Sequence, residues 1–165
     1  MKRVLFVLFL SVVAGAVVAS AGQPTSFTAV LEHYEIVRLA LLNDSAQEVA
    51  VNGEAIASQL RALQADFTAE KAGVAEDAAS AVQDGLPGMI AAADSLAGGP
   101  SLADARNAFY DLSKGLVRWR EGVQSTRPVV AYCPMVKKSW LQPDGSIGNP
   151  YGGRHMPSCG QIVSK

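Results

Sequence analysis

Two short sulfur-bearing segments lie near the C-terminal end of the sequence. Cys133 is followed two residues later by Met135, Cys159 is preceded three residues earlier by Met156, and the sequence has no other cysteine. Thiolates and thioethers are soft donors, which select Cu(I) over hard cations such as Mg²⁺ or Ca²⁺. The pattern therefore predicts a metal site for Cu(I) or Ag(I) made of Cys133, Met135, Met156 and Cys159.

The two cysteines also permit interpretations without a permanently bound metal. Two cysteines are the minimum for one disulfide in an exported chain, and in the chain-entropy model a Cys133–Cys159 bond contributes about 3–4 kcal/mol. The two methionines would then be packing residues and no cofactor would be needed. A third interpretation is a reversible site, a disulfide when oxidised and Cu(I)-binding when reduced. Each interpretation requires the cysteines to be neighbours, with Met135 and Met156 at the same end of the domain.

The other reactive side chains give little support to an enzyme. His155 is adjacent to Met156, and neighbouring residues of an extended loop usually point apart, so it ranks below the sulfurs as a ligand. His33 lies beside the apolar stripe of a predicted helix, where a lone histidine is more often packed or solvated than a ligand. The sequence lacks a paired-carboxylate motif and a phosphate-binding glycine loop. A Cys159–His155 nucleophile pair is the remaining enzymatic hypothesis, and we predict a non-enzymatic protein.

The N-terminal segment has the pattern of a signal peptide. Lys2 and Arg3 precede a largely apolar run over positions 4–19, and small residues at 19–21 suit cleavage before Gly22. We therefore predict a signal peptide at 1–21 and a periplasmic or secreted protein. A retained membrane anchor is the alternative, but the apolar run is near the lower length limit for a span. No membrane span is expected after cleavage.

Removal of this segment leaves 144 of the 165 residues, enough for one domain with its own core. The formal net charge is -1 for the whole sequence, and it becomes -3 without the two basic residues of the signal. A net negative charge gives no argument for binding nucleic acid or an anionic membrane. We predict a single domain over 22–165, with a helical part at 22–127 and a Cys/Met-rich tail at 128–165 packed on it.

Apolar residues recur at helical spacing over most of the part at 22–127. Thr25 or Ser26 is predicted to cap the first helix and Ser101 the last, and Ser45 with Glu48 has the pattern of a capping box for the second.

The segment between the second and last helices is rich in alanine and contains Pro87. A proline inside a helix removes a hydrogen bond and clashes with the preceding turn, so we expect a break near 84–85 and a restart. Four amphipathic segments joined by short turns then predict a mainly α fold, an up-down bundle of about four helices.

Composition changes after Pro128, where proline and glycine become frequent. The segment 129–132 suits a short strand and 161–163 a closing strand beside it, with turns at 143–145 and 149–153. Such a tail would not fold alone, so it must pack against the helices or be held by a cross-link.

The tail resembles a known family. The residues that carry the resemblance are Cys133, Pro134, Met135, Trp140, Leu141, Gln142, Ile147, Asn149, Pro150, Tyr151, Gly153 and Met156 through Gly160. The family consists of exported bacterial domains of unknown function, also found fused to the periplasmic adaptors of Cus-type copper/silver efflux pumps. Upstream, the turn at 41–46 resembles the family's first helical hairpin, and Arg106, Phe109, Leu112 and Ser113 resemble its last helix. This sequence departs from the family pattern at Gly152, where an aromatic residue is usual, and at Pro157, where a leucine-like residue is usual.

The resemblance implies a helical bundle with a sulfur-rich loop site linked to heavy-metal handling. The leading hypothesis is an exported, non-enzymatic Cu(I)/Ag(I)-binding domain that assists metal efflux or resistance. Its partners would be the metal ion and an efflux adaptor or another envelope protein. The alternative is a disulfide-stapled interaction module that binds no metal and contacts an envelope protein through loops bearing Trp140 and Tyr151.

Overall fold

The computed structural model describes residues 24–165, so the predicted signal peptide at 1–21 and its cleavage before Gly22 lie outside the described residues. The described chain is mainly helical, with a small antiparallel sheet near its C-terminal end, as predicted. The elements are α1 (Ser26–Leu42), α2 (Val49–Ala65), α3 (Ala69–Ala72), α4 (Ala79–Ala97), α5 (Leu102–Glu121), β1 (Val129–Cys133), β2 (Lys138–Gln142) and β3 (Gln161–Ser164). Within this range, no helix combines the length and the apolarity needed to cross a membrane.

The long helices α1 and α5 begin at the predicted caps. The Thr25 hydroxyl accepts a hydrogen bond from the Thr28 amide at 3.4 Å, and the Ser101 hydroxyl accepts one from the Asp104 amide at 3.3 Å. Each side chain satisfies one of the backbone donors that a helix start leaves without a partner.

The capping box predicted for the second helix is wrong. Helix α2 begins at Val49, and Glu48 precedes it in the left-handed region with φ 68° and no capping side-chain bond. The Ser45 hydroxyl instead accepts a hydrogen bond from the Gln47 amide at 3.1 Å, within the turn. Asp44 is also left-handed, with φ 55°, so the connection between α1 and α2 contains two left-handed residues.

The predicted break at 84–85 is also wrong, because α4 continues through Pro87. A proline inside a helix costs about 3 kcal/mol. Helix α4 packs against α2 on one side and α5 on the other, and it buries Val82, Leu86, Met89 and Leu96 between them. Tertiary burial of this face outweighs the local cost.

The helical core is built by neighbours along the chain. Helix α2 packs between α1 and α4, α4 packs against α5, and α5 also contacts α1. The indole of Trp119 packs against the ring of Phe27 with centroids 5.3 Å apart, and its N–H donates to the Ala72 carbonyl at 3.1 Å. A single side chain of α5 thus holds both α1 and the short helix α3.

The sheet has the order β2-β1-β3, with both pairings antiparallel. The strands predicted near 129–132 and 161–163 are confirmed, whereas β2 was not predicted. Its two central apolar residues, Trp140 and Leu141, are buried, and β2 is the strand that packs on α5.

A buried group of hydroxyls joins the sheet to the helices. Ser113 of α5 donates to the Phe109 carbonyl at 2.7 Å, so its oxygen accepts from the Tyr34 hydroxyl of α1, also at 2.7 Å. The Tyr34 oxygen in turn accepts from the Leu141 amide of β2 at 3.1 Å. Burial raises the pKa of Tyr34, so this tyrosine stays neutral and keeps its donor.

Candidate functional site

The strand register brings the two cysteines together. Tyr132 of β1 pairs with Gln161 of β3, so Cys133 at the end of β1 continues beside the residues that precede β3. Because β1 and β3 are antiparallel, Cys133 lies one residue after Tyr132 and Cys159 two residues before Gln161, which brings the two free cysteines to neighbouring positions. The juxtaposition satisfies the one geometric requirement that the metal and disulfide interpretations share.

The four predicted site residues differ greatly in burial. Cys133 is 0% exposed and belongs to the hydrophobic core, whereas Cys159 is half-buried at its edge. Met135 lies in the turn between β1 and β2 and is 74% exposed. Met156 is half-buried in the loop before β3, and its carbonyl accepts a hydrogen bond from the Cys159 amide at 3.2 Å. The structure therefore assembles the cysteine pair, with one methionine in the same turn as Cys159 and the other in solvent.

Asn149 closes the loop that carries Met156 and Cys159. Its side-chain amide donates to the Cys159 carbonyl at 2.9 Å, and its backbone amide donates to the Pro157 carbonyl at 2.8 Å. Its side-chain oxygen accepts from the backbone amides of Tyr151 at 2.9 Å and Gly152 at 3.1 Å. Asn149 is 0% exposed, so these bonds are made in the absence of competing water.

Two helix arginines hold the backbone on either side of Asn149. Arg38 of α1 donates to the Gly148 carbonyl at 2.7 Å, and Arg106 of α5 donates to the Pro150 carbonyl at 2.9 Å. Arg38 is only 6% exposed, and its charge is paired with Glu35 through two hydrogen bonds of 2.6 Å. The loop is thus attached to both helices through its main chain.

Asp44, in the turn between α1 and α2, extends this network. Arg106 donates to one Asp44 oxygen at 2.5 Å and to the Leu41 carbonyl at 3.0 Å, while the Arg154 amide donates to the other Asp44 oxygen at 3.1 Å. The hydrogen bond from Arg106, followed by that from the Arg154 amide, lowers the pKa of Asp44 from 3.8 to about 2. The carboxylate therefore stays charged at neutral pH and holds the loop to the helical turn.

Two glycines allow this loop to fold closely. Gly153 has φ +53°, and a Cβ there would lie 1.9 Å from an Asp44 oxygen. A Cβ on Gly152 would lie 2.7 Å from the Cβ of Met156. The aromatic residue usual in the resembling family at Gly152 would therefore displace Met156 in this loop.

The remaining candidates differ in their surroundings. His33 bonds to the side-chain oxygen of Asn52 at 2.8 Å within the helical part, and His155 is exposed. Among residues 24–165 there is no cluster of three or more His, Cys, Asp or Glu side chains suited to a metal ion. The expectation that Trp140 and Tyr151 form exposed contacts is wrong, because both are buried and pack edge-to-face with ring centroids 5.9 Å apart.

Charge is divided unequally between the two parts of the described chain. Positions 24–128 carry eight basic and fourteen acidic side chains, whereas positions 129–165 carry four basic and one acidic. The exposed residues of the tail include Met135 and Lys137 in the turn between β1 and β2 and Arg154 in the loop before β3. The sulfur-bearing tail is therefore the basic end of an acidic molecule.

The family resemblance includes Asn149 and Arg106, but the sequence did not reveal that these polar residues position the loop. Arg38 gave a usable signal, since a charge that interrupts an apolar helical stripe must find a buried partner. Asp44 contacts Arg154, which is more than a hundred positions away, and Asn149 contacts Cys159, which is about ten positions away. The spacing of residues in the sequence does not reveal such contacts.

The chain matches no protein-family model, no curated protein and no solved structure. The family resemblance of the tail therefore stays a prediction.

Proposed function

We propose that the protein is an exported, non-enzymatic domain that binds a soft monovalent metal ion, Cu(I) or Ag(I), at Cys133 and Cys159 and assists its efflux. We also propose that the four long helices form an up-down bundle, in which α1, α2, α4 and α5 pack as consecutive neighbours and α3 is a short link. The bundle would serve as the rigid support for the cysteine pair.

The observation that carries the metal proposal is the meeting of Cys133 and Cys159 beside loops that both contain methionine. Two thiolates give the negative charge and the soft donors that Cu(I) prefers. Met156 shares a turn with Cys159 and is half-buried, while exposed Met135 is free to approach an ion or a partner. The ion is the cargo, and ligand exchange with sulfur donors of an efflux partner would hand it over.

Thiol protonation sets the pH dependence of this function. A thiolate must lose its proton before it binds the ion, so metal affinity is expected to rise with pH. Oxidation would block the site, because a Cys133–Cys159 disulfide leaves no thiolate. Binding therefore requires the reduced form of the pair.

Competition for Cu(I) tests the proposal. The reduced protein is titrated with Cu(I) against a chromophoric chelator, and Cys133→Ser and Cys159→Ser should each lose most of the affinity. Met135→Leu and Met156→Leu should lose less, because a thioether is neutral and leucine keeps much of the volume. His155→Ala is the matched control and should change little. A reduced wild type that takes no Cu(I) from the chelator would reject the proposal.

A second candidate function is the disulfide-stapled interaction module, which the complete burial of Cys133 favours. Its contact surface would be the basic end of the tail, with Met135, Lys137 and Arg154 exposed, rather than Trp140 and Tyr151. Such a surface suits an acidic region of an envelope protein. Thiol counting and metal analysis on protein purified from its own compartment separate the two candidates. A metal-free disulfide in all molecules supports the module, and two free thiols with bound copper or silver support the metal site.

A further inference from the structure

We propose that Asn149 is the positioning residue of the sulfur site. Arg38 and Arg106 hold the backbone on both sides of it, and Asn149 in turn holds Cys159 against Cys133. The inference deepens the proposed function, since it rests on the same cysteine pair.

The two cysteines are positioned by different means. Cys133 is the last residue of β1, and its partner Lys138 in β2 fixes it within the sheet. Cys159 lies outside β3, which begins at Gln161. Its backbone hydrogen bonds go to Met156 and Asn149, both within the loop. The strand register brings Cys159 close to Cys133, and the hydrogen bonds within the loop then fix its backbone.

The side chain of Asn149 has the combination of groups that this loop requires. A donor must face the Cys159 carbonyl, and an acceptor must face two backbone amides, those of Tyr151 and Gly152. An ionised aspartate would keep the acceptor but would place a second acceptor against the Cys159 carbonyl. An amide side chain is therefore required at this buried position, because a buried polar group without a hydrogen-bond partner lowers the stability of the fold.

Two arginines connect the backbone around Asn149 to the helices. Arg38 and Arg106 belong to α1 and α5, and the carbonyls that they hold, at Gly148 and Pro150, directly flank Asn149. These bonds fix the direction in which the Asn149 side chain points. Groups that hold metal ligands in place through hydrogen bonds orient those ligands, and removing such groups typically lowers metal affinity about 10–100-fold.

The test compares two buried asparagines that undergo the same chemical change. Asn149→Asp replaces the donor that faces the Cys159 carbonyl. Asn52→Asp is the control, because Asn52 is 5% exposed, its amide donates to the Glu48 carbonyl at 2.8 Å, and its oxygen bonds to His33. Both variants are made in the full chain, and circular dichroism with urea unfolding establishes that each is folded.

Two readouts report on the sulfurs themselves. The first is the equilibrium of the cysteines with glutathione. The Cys133–Cys159 dithiol reacts with oxidised glutathione to give the protein disulfide and two molecules of reduced glutathione. Two electrons and two protons pass from the cysteines to glutathione. The second is Cu(I) competition against a chromophoric chelator. Asn149→Asp should shift the disulfide equilibrium toward the dithiol by about 10-fold and should lower Cu(I) affinity by about 10–100-fold. Asn52→Asp should leave both readouts close to the wild-type values, because Asn52 bonds only within the helical part.

The outcomes separate this inference from the proposed function. If the wild type binds no Cu(I), the proposed function fails, while the glutathione equilibrium still tests Asn149. A folded Asn149→Asp protein with wild-type values in both readouts would overturn the inference, as would an equal shift in Asn52→Asp. If Asn149→Asp does not fold, Arg106→Lys decides, because lysine keeps the charge but cannot reach Pro150, Leu41 and Asp44 together. If the glutathione equilibrium of the cysteine pair is unchanged in Arg106→Lys, that result also counts against the inference.

Discussion

The helical part and the sulfur-bearing tail are stabilised in different ways. The helices are joined mainly through apolar side chains, such as Leu41, Ile56 and Leu112, which are completely buried. The tail shares that apolar core through Trp140, Leu141 and Tyr151. Its main chain is also held by hydrogen bonds, because Arg38 and Arg106 donate to its carbonyls and the Tyr34 oxygen accepts from the Leu141 amide. The first kind of contact depends on the area removed from water, and the second depends on direction and distance.

This difference separates stability from the geometry of the cysteine pair. An apolar core tolerates small shifts of its side chains, whereas a buried donor that loses its acceptor pays the full cost of its desolvation. The shared apolar core therefore stabilises both parts, and the polar connections help to decide where Cys159 lies. Substitutions in the two parts should have effects of different kinds.

The largest expected effect on stability is in the helical part, at Trp119. Trp119→Ala removes the contact with Phe27 and the hydrogen bond to the Ala72 carbonyl, and it should lower the free energy of unfolding by about 3–5 kcal/mol. Urea unfolding at neutral pH measures this loss. The glutathione equilibrium of the cysteines in the folded fraction should stay at the wild-type value. A shift of that equilibrium as large as in Asn149→Asp would break the distinction between the two parts.

A smaller loss is expected at Arg106, which joins the two parts. Arg106→Ala removes the bonds to Pro150, Leu41 and Asp44, and the free energy of unfolding should fall by about 2–3 kcal/mol, as for buried hydrogen bonds to charged groups. Amide hydrogen exchange should speed up first in the loop at 149–159.

Arg61→Ala is the matched control for Arg106→Ala. Arg61 makes an ion pair with Asp94 at 2.6 Å, but both side chains are about half exposed. An exposed ion pair contributes about 0–1 kcal/mol. Equal losses in the two arginine variants would show that burial of the Arg106 network has no energetic consequence.

The same division explains which features the sequence could predict. The caps at Thr25 and Ser101, the mainly helical composition and two of the three strands were predictable, because each depends on a local pattern of residue types. The continuity of α4 through Pro87 was not, because the burial between α2 and α5 that outweighs the proline is a property of the fold.

Local patterns also predicted the four sulfurs as candidates but not their unequal burial. The turn at 134–137 places Met135 in solvent, and the register of β1 places Cys133 in the core. The positioning roles of Asn149 and Asp44 were not predictable, because they depend on how the loop folds back on itself and on contacts between Asp44 and distant arginines. The spacing of the cysteines and methionines indicates soft-metal chemistry, and the contacts in the folded protein decide where each sulfur lies.

Glycine substitutions should change stability with opposite signs in the two parts. Gly88 lies inside α4, and a Cβ there would meet nothing within 4 Å. Gly88→Ala should therefore raise the free energy of unfolding by about 0.5–1 kcal/mol. A Cβ on Gly152 would lie 2.7 Å from the Cβ of Met156, so Gly152→Ala should lower the free energy of unfolding by about 1–3 kcal/mol. Urea unfolding measures both, and effects of the same sign would contradict the described packing of the loop.

The smallest expected effect is a pH dependence that arises where the tail meets the helices, at Asp44. The pKa of Asp44 is lowered from 3.8 to about 2 in the folded protein. A carboxyl with a lowered folded-state pKa contributes stability that is fully present above its unfolded pKa and is lost as the pH falls through its folded pKa. The stability advantage of the wild type over Asp44→Asn should thus be constant above about pH 4 and should shrink toward pH 2.

Urea unfolding of both proteins between pH 5 and pH 2 measures this difference. Arg106 is the largest cause of the lowered pKa, so the pH-dependent part should be much smaller when the comparison is repeated with Arg106→Ala in both proteins. An advantage that does not change with pH would mean that Asp44 contributes through its shape and not through its charge. The ion pair with Arg106 would then not be what holds the sulfur-bearing loop to the helical turn.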